Sequence, residues 1–231
     1  MKAVILDMDG LMLDTEPLYR ESWQKGCEEC GFVLDDAGYA PMIGRPIDAC
    51  ERELVRRFGA SFPLARFQAR WPELWKAYAL KHGIHRMPGL EELLAFLESR
   101  GVPMAVATSS DAEYTEFTLR IGGLAGRFGI VVTRDQVQQG KPAPDLYLEA
   151  ARRLGVETGE CVVLEDSEPG VLSAVAAGMR TICVPGLGAP STAAYRVVRD
   201  LDEARGVIEG MLGVEDADVG VGGRPGGLPH Q

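Results

Sequence analysis

Lys2-Ala-Val-Ile-Leu-Asp-Met-Asp-Gly10, running on to Leu11-Met-Leu-Asp-Thr15, is the stretch from which the rest of the chain can be read. Ala3 to Leu6 form a continuous apolar run, the pattern of a short strand buried on both faces. The run stops at two carboxylates, Asp7 and Asp9, with Gly10 directly after them. Asp and Gly also build ordinary turns. In an open α/β sheet, however, ligands gather beyond the carboxyl ends of the strands. Two acids set two residues apart at such a point repel one another unless a cation or a shared proton intervenes.

Working outward, the next strand comes only after a long gap. Asp14-Thr15-Glu16-Pro17 offers capping residues and a proline suited to a first helical turn, so a helix is expected from Leu18 to about Cys30, with Gly31 as its stop. A loop with Gly38, Pro41, Gly44 and Pro46 follows, then a helix over 48–58. Residues 63–82 read as two helices broken at Trp71-Pro72, because proline rarely sits inside a helix. From Met87-Pro-Gly89 onward, helices are expected over 90–100, 112–121, 144–154, 170–177 and about 202–212. Strands are expected between them, over 103–107, 130–133, 161–164 and 180–184. Short strands alternating with helices imply an α/β protein with a doubly wound parallel sheet. The expected organisation is a core of residues 1–16 and 84–212, an all-helical domain inserted over 17–83, and a Gly-rich flexible tail over 213–231.

The 231 residues carry 24 Lys and Arg against 34 Asp and Glu, a net charge of −10. That balance argues against a nucleic-acid polymer as partner, since phosphate backbones select basic faces. It leaves room for a small phosphorylated ligand whose charge a metal ion offsets. No apolar run reaches the roughly 18 residues of a membrane span, and the first strand begins without the basic and apolar segments of a secretory leader. Five cysteines, an odd number, fit a reducing compartment. A cytoplasmic monomer or weak dimer is expected. Cys27 and Cys30 form a Cys-x-x-Cys, but no second pair or nearby His completes a zinc site. Two thiols on one helical face are read as small core residues.

Three further pieces of chemistry fall at strand ends. Strand 103–107 runs into Thr108-Ser109-Ser110 before a helix, where hydroxyls and backbone N–H groups can cradle a phosphate. Gly140-Lys-Pro-Ala-Pro-Asp145 holds Lys141 at a proline-rich helix start, which restrains its backbone so that its ammonium can be aimed. Leu164-Glu-Asp-Ser167 brings a second pair of acids, Glu165 and Asp166, to the end of another apolar strand. Magnesium takes hard oxygen ligands, typically one or two carboxylates with phosphate and water. Asp7 and Asp166 are placed to supply those carboxylates from two strand ends.

The four segments, in this order, resemble the motifs of the haloacid dehalogenase superfamily, in its branch of phosphatases and β-phosphoglucomutases with a small helical cap. The resemblance covers about residues 1–185. It implies a magnesium-dependent phosphatase that acts on a small phosphate ester, such as a sugar phosphate or nucleotide-like phosphate, through a phosphoaspartyl intermediate. Asp7 is then the nucleophile and Asp9 the general acid and base. Asp7, Met8, Asp9, Thr108, Ser109 and Lys141 are expected around the phosphate, with Thr108 and Lys141 stabilising the transferring group. Asp7, Asp166 and the backbone carbonyl of Asp9 are implied as magnesium ligands, with Glu165 either a further ligand or an anchor behind them. Haloacid dehalogenases and phosphonoacetaldehyde hydrolases both lack the second acid of the first motif, so Asp9 points to phosphoryl transfer.

Mutases of this branch carry a His a few residues after the Asp-Thr, where this chain has Tyr19. They also carry an Arg shortly after a cap-loop Gly, where this chain has Ile47, with Arg45 beside Gly44 instead. Both departures favour a hydrolase over a β-phosphoglucomutase-type reaction. A chain that kept the fold for binding or regulation alone is the other alternative. Glu16, Tyr19, Trp23 and Arg45 are the candidates for reading the substrate from the cap. Arg45 suits an anionic or polyhydroxylated leaving group, and segments 15–17 and 83–88 are the natural hinges for closure.

Overall fold

The computed structural model describes residues 1–218 except 44, 46 and 187–189, with backbone alone over 214–218. All four side chains of strand β1 (Ala3–Leu6) are buried. Val4 and Leu6 pack on one face of the sheet and Ala3 and Ile5 on the other, the two-residue alternation of a strand. The other strands are β2 (Leu13–Asp14), β3 (His85–Arg86), β4 (Met104–Ala107), β5 (Val131–Val132), β6 (Cys161–Glu165), β7 (Arg180–Cys183) and β8 (Arg196–Val197). Among the described residues, six of them form one parallel sheet in the order β5–β4–β1–β6–β7–β8. Ile5 lies between Ala105 and Val163, which puts β1 at the centre.

The helices are α1 (Glu16–Glu29), α2 (Asp36–Tyr39), α3 (Ile47–Phe58), α4 (Leu64–His82), α5 (Leu90–Ser99), α6 (Ala112–Ile121), α7 (Asp145–Leu154), α8 (Glu168–Ala176) and α9 (Leu201–Asp218). Leu90, Leu93, Leu94 and Leu97 of α5, with Leu201, Ala204 and Ile208 of α9, cover the face of Val4 and Leu6. Leu146, Tyr147, Ala150 and Ala151 of α7, with Ala174 of α8, cover the opposite face. The i, i+3, i+4, i+7 leucines of α5 explain why that helix forms against the sheet. Each contributes about 2 kcal/mol by leaving water, and truncating fully buried Leu94 to Ala would cost about 2–5 kcal/mol. Helices on both faces make the expected doubly wound core.

Helices α1 to α4 all lie between β2 and β3, whose two-residue strands pair antiparallel, Leu13 opposite Arg86 and Asp14 opposite His85. The helices share an aromatic core in which Trp23 meets Phe67 edge-on at 5.1 Å. Cys27 is buried in it and Cys30 packs against it, both as free thiols. Burial pushes the Cys27 thiol up to about 12, with Cys30 adding to the shift, so it stays protonated as a packing group.

Several boundaries differ from expectation. Residues 64–82 form the single helix α4, with Pro72 inside it. The proline forfeits one helical hydrogen bond, but Trp71 and Trp75 flank it on the packed side. Trp71 sits 5.6 Å from Trp23, and Trp75 sits 5.8 Å from Tyr19; breaking the helix would pull one tryptophan off α1. The expected loop over 31–46 contains α2, capped by Asp35 accepting the Gly38 N–H at 2.8 Å. The last helix runs to Asp218 rather than 212, and residues 219–231 of the expected tail lie outside the described residues. The ribbon β2–β3 and the edge strand β8 were not anticipated: two residues are too few to show a period.

Candidate active site

Strands β1, β4 and β6 end side by side, and hydrogen bonds carry the pairing one residue further. The Asp7 N–H donates to the Leu164 carbonyl at 3.1 Å and the Thr108 N–H to the Val132 carbonyl at 3.0 Å. Asp7, Thr108 and Asp166 therefore leave the same sheet edge, and Lys141 reaches in from ahead of α7. Gly10 turns the chain away with φ of 81°, and a Cβ there would lie 2.2 Å from Oδ2 of Asp166. Only glycine lets this turn pass so close to that carboxylate.

Lys141 is the electrostatic centre. Its ammonium donates to Oδ1 of Asp7, to Oε1 of Glu165 at 2.6 Å and to the Ala107 carbonyl at 3.1 Å, and it lies 5.2 Å from the centre of the Tyr147 ring. Burial works against its charge, but Asp7 and Glu165 outweigh that and hold it protonated. Glu165 accepts five hydrogen bonds. Lys141 and the Tyr147 hydroxyl (2.8 Å) reach Oε1; the N–H groups of Asp166 (2.9 Å) and Ser167 (3.0 Å) and the Ser167 hydroxyl (2.9 Å) reach Oε2. Burial opposes its ionisation, and Lys141 with these donors overcomes it, holding the carboxyl below its usual range.

Asp7 and Asp166 are short of positive charge. Burial pushes Asp7 up to about 7 against the pull of Lys141. Burial, then the charges of Asp7 and Glu165, push Asp166 up to about 9. Asp7, Glu165 and Asp166 each offer a carboxylate oxygen within 4.8 Å of the others. Three acids beside a single ammonium are two charges short of neutral, and hard oxygens at this spacing fit a magnesium-type cation.

Asp9 sits across from this cluster. Its Oδ2 accepts the Ser110 hydroxyl at 3.0 Å and its Oδ1 the Tyr114 hydroxyl at 2.8 Å. Burial raises its pKa while Tyr114, Thr15 and Ser110 pull it back. Thr108, itself buried, accepts the Ser110 N–H at 3.1 Å and so shapes the turn before α6.

A cavity of about 570 Å³ opens over these groups. Asp7, Asp9, Thr108, Ser109, Lys141 and Asp166 line its floor, and Glu16, Tyr19, Trp23 and Arg45 line it from the helical insertion. Ile47 lines it too. Two expected site residues do not line it. The Met8 side chain is fully buried in the core, which leaves only its backbone for a phosphate, and Glu165 lies beneath the floor. Ser110 of the expected phosphate cradle lines the cavity and bonds Asp9, Arg134 and Tyr39 line it without having been anticipated, and Tyr114 and Tyr147 support it from behind. Ser110 was signalled by the Thr-Ser-Ser run. The tyrosines carried no signal, because on α6 and α7 they stand at positions that read as apolar packing.

The family model for haloacid dehalogenase-like hydrolases matches residues 4–184. A phosphorylated carbohydrates phosphatase of Thermotoga maritima is 33% identical over 213 residues, covering 90% of this chain and 91% of its own length. Fructose-1-phosphate phosphatase of Escherichia coli K12 is 32% identical over 182 residues, 79% of this chain and 95% of its own. Among solved structures, a provisionally named β-phosphoglucomutase from Thermotoga maritima superposes with a TM-score of 0.79 at 31% identity, covering 91% of this chain and 99% of that one.

Proposed function

Since the chain belongs to the haloacid dehalogenase-like hydrolases and is a phosphoric monoester hydrolase among them, we propose that it releases phosphate from a small phosphorylated sugar or polyol through a phosphoaspartyl intermediate, with magnesium as cofactor. The observation that carries this is the pairing of two differently held acids at one cavity. Asp7 is gripped by Lys141, and Asp9 is held by neutral hydroxyls that suit either of its protonation states. The sugar reading draws on the phosphatase relatives.

In the first step an Asp7 carboxylate oxygen bonds to phosphorus while the ester P–O bond breaks, and the leaving oxygen takes a proton from Asp9. In the second, Asp9 takes a proton from water, the water oxygen bonds to phosphorus, and the Asp7–phosphorus bond breaks to restore the carboxylate. Lys141 contacts Asp7, and Thr108 and Ser109 line the cavity where the phosphoryl oxygens would sit. Asp7, Asp166 and the Asp9 carbonyl would hold magnesium, which offsets the negative charge of the acids and the phosphate. Glu165 is assigned as the anchor that aims Lys141, since its oxygens already serve five donors.

A phosphosugar mutase is the second reading, favoured by the structural likeness to the provisionally named mutase. The departures from the mutase pattern at Tyr19 and Ile47 weigh against it. Five free thiols fit a reducing compartment, and a cytoplasmic location is part of the proposal; no helix of the described residues is long and apolar enough to cross a membrane. The test is phosphate release from a panel of sugar, polyol and nucleotide monophosphates with magnesium, with D7N and excess chelator as controls. Release lost in both controls is expected. Glucose 6-phosphate formed from β-glucose 1-phosphate with little free phosphate would overturn the hydrolase in favour of the mutase.

A further inference from the structure

Asp9 is held by Ser110 and Thr15 on the cavity side and by Tyr114 from behind, and these sides are not equivalent. Ser110, on its Oδ2, lines the cavity, whereas Tyr114, on its Oδ1, lies behind the wall. A serine hydroxyl rotates freely, donating to a carboxylate and accepting from a carboxylic acid as the proton comes and goes. The Tyr114 oxygen has no such freedom of place, because its ring is fixed. It packs 4.7 Å from Trp75 and 6.2 Å from Tyr19, centroid to centroid. Its backbone N–H is capped by Asp111 at 2.9 Å. Its hydroxyl also interacts with that of Tyr19, and one residue earlier Glu113 pairs with Lys76 at 2.6 Å. Tyr19, Trp75 and Lys76 all belong to the helical insertion, on α1 and α4.

We propose that Tyr114 is the positioning residue that fixes the rotamer of Asp9, pinning Oδ1 to the rear so that Oδ2 faces the leaving oxygen, and that the helical insertion supplies the seat holding the phenol in place. The assignment rests on the reading of Asp9 as the proton donor. A carboxylate free to turn about its χ angles would spend much of its time misdirected, and misplacement of a reacting group by about 1 Å is enough to cost about 10²-fold. The proton matters most when the leaving oxygen is a poor leaving group. An alkoxide expelled from a sugar needs it, while p-nitrophenolate departs without it.

The experiment compares kcat/KM for glucose 6-phosphate and p-nitrophenyl phosphate in wild type, D9N and Y114F, with thermal melting of each. The constant kcat/KM reports the step in which the leaving group departs and is blind to the later hydrolysis shared by both substrates. Y114F keeps the ring and loses one oxygen. It is expected to melt near wild type, to lose about tenfold or more on the sugar phosphate, and to stay within about twofold on the aryl phosphate, in the direction of a larger D9N split. Equal losses on both substrates, or no loss, would overturn the proposal. If Y114F does not fold, Trp75→Phe, which loosens the seat of the phenol without reaching the cavity, is read the same way, and a sugar-selective loss supports the proposal while its absence overturns it. Should D9N itself show no split, the acid role of Asp9 falls and the proposal with it, a result distinguishable from failure of Y114F alone.

Discussion

The ammonium of Lys141 lies 2.6 Å from Oε1 of Glu165, with the carboxylate fully buried and the lysine side chain 5% exposed. Two charges so removed from water are stable only as a set, and the set includes Asp7. Lys141→Met keeps the stem and deletes the cation, leaving three acids without a counter-charge. A loss of about 3–5 kcal/mol of metal-free stability is expected from denaturant unfolding, with at least about 10²-fold lower kcat. Unchanged stability would mean that the carboxylates simply take up protons.

Gly10→Ala is expected to act on the carboxylate cluster and not on the core. Its φ of 81° costs a side-chain-bearing residue about 1–2 kcal/mol, and the new methyl displaces Asp166, whose Oδ2 lies 2.2 Å from the Cβ position. The half-saturating magnesium concentration for phosphate release should rise by about tenfold or more. An unaltered magnesium requirement would remove Asp166 from the cation site.

The raised acids fix the sign of a pH effect. Burial holds Asp7 at about 7 and Asp166 at about 9 in the metal-free protein, against 3.8 for an ordinary Asp. Between about pH 4 and 9 the folded state therefore binds protons that the unfolded state has released, and these groups lower stability as pH rises. A cation must displace those protons. Magnesium should accordingly raise the melting temperature more at pH 8.5 than at pH 6, while Asp7 and Asp166 lower the metal-free value over the same interval. An increment independent of pH would contradict this ionisation scheme.

What was readable beforehand follows from how each group is held. Asp7, Thr108 and Asp166 each directly follow an apolar strand or stand one residue beyond it, so a strand-by-strand reading delivers them to one edge. Lys141 was visible through its proline-rich setting. Tyr114 and Tyr147 act from the buried faces of helices, where a tyrosine that donates a hydrogen bond and one that merely packs look alike in sequence. Glu165 had two open roles, and five donors that meet only in the folded chain favour one of them. Pro72 misled for the opposite reason: a strong local preference was overruled by two tryptophans packed on another helix.

Pro72→Ala tests that last explanation. Alanine restores an N–H for the carbonyl four residues earlier and removes the ring clash, so α4 should become more stable by up to about 3 kcal/mol. A higher melting temperature with unchanged kcat/KM is expected. A lower one would show that the proline ring itself packs productively.

The short ribbon joining Leu13 to Arg86 and Asp14 to His85 has a consequence for modularity. It brings both ends of the four-helix segment to one doorstep, so the spacing the core must tolerate is that of two paired strands, whatever lies beyond. Lengthening or replacing what lies between costs the core little, because closure entropy grows only with the logarithm of length. The ribbon is thus a splice point, across which the helical segment can be exchanged without disturbing the strand ends that carry Asp7, Thr108 and Asp166.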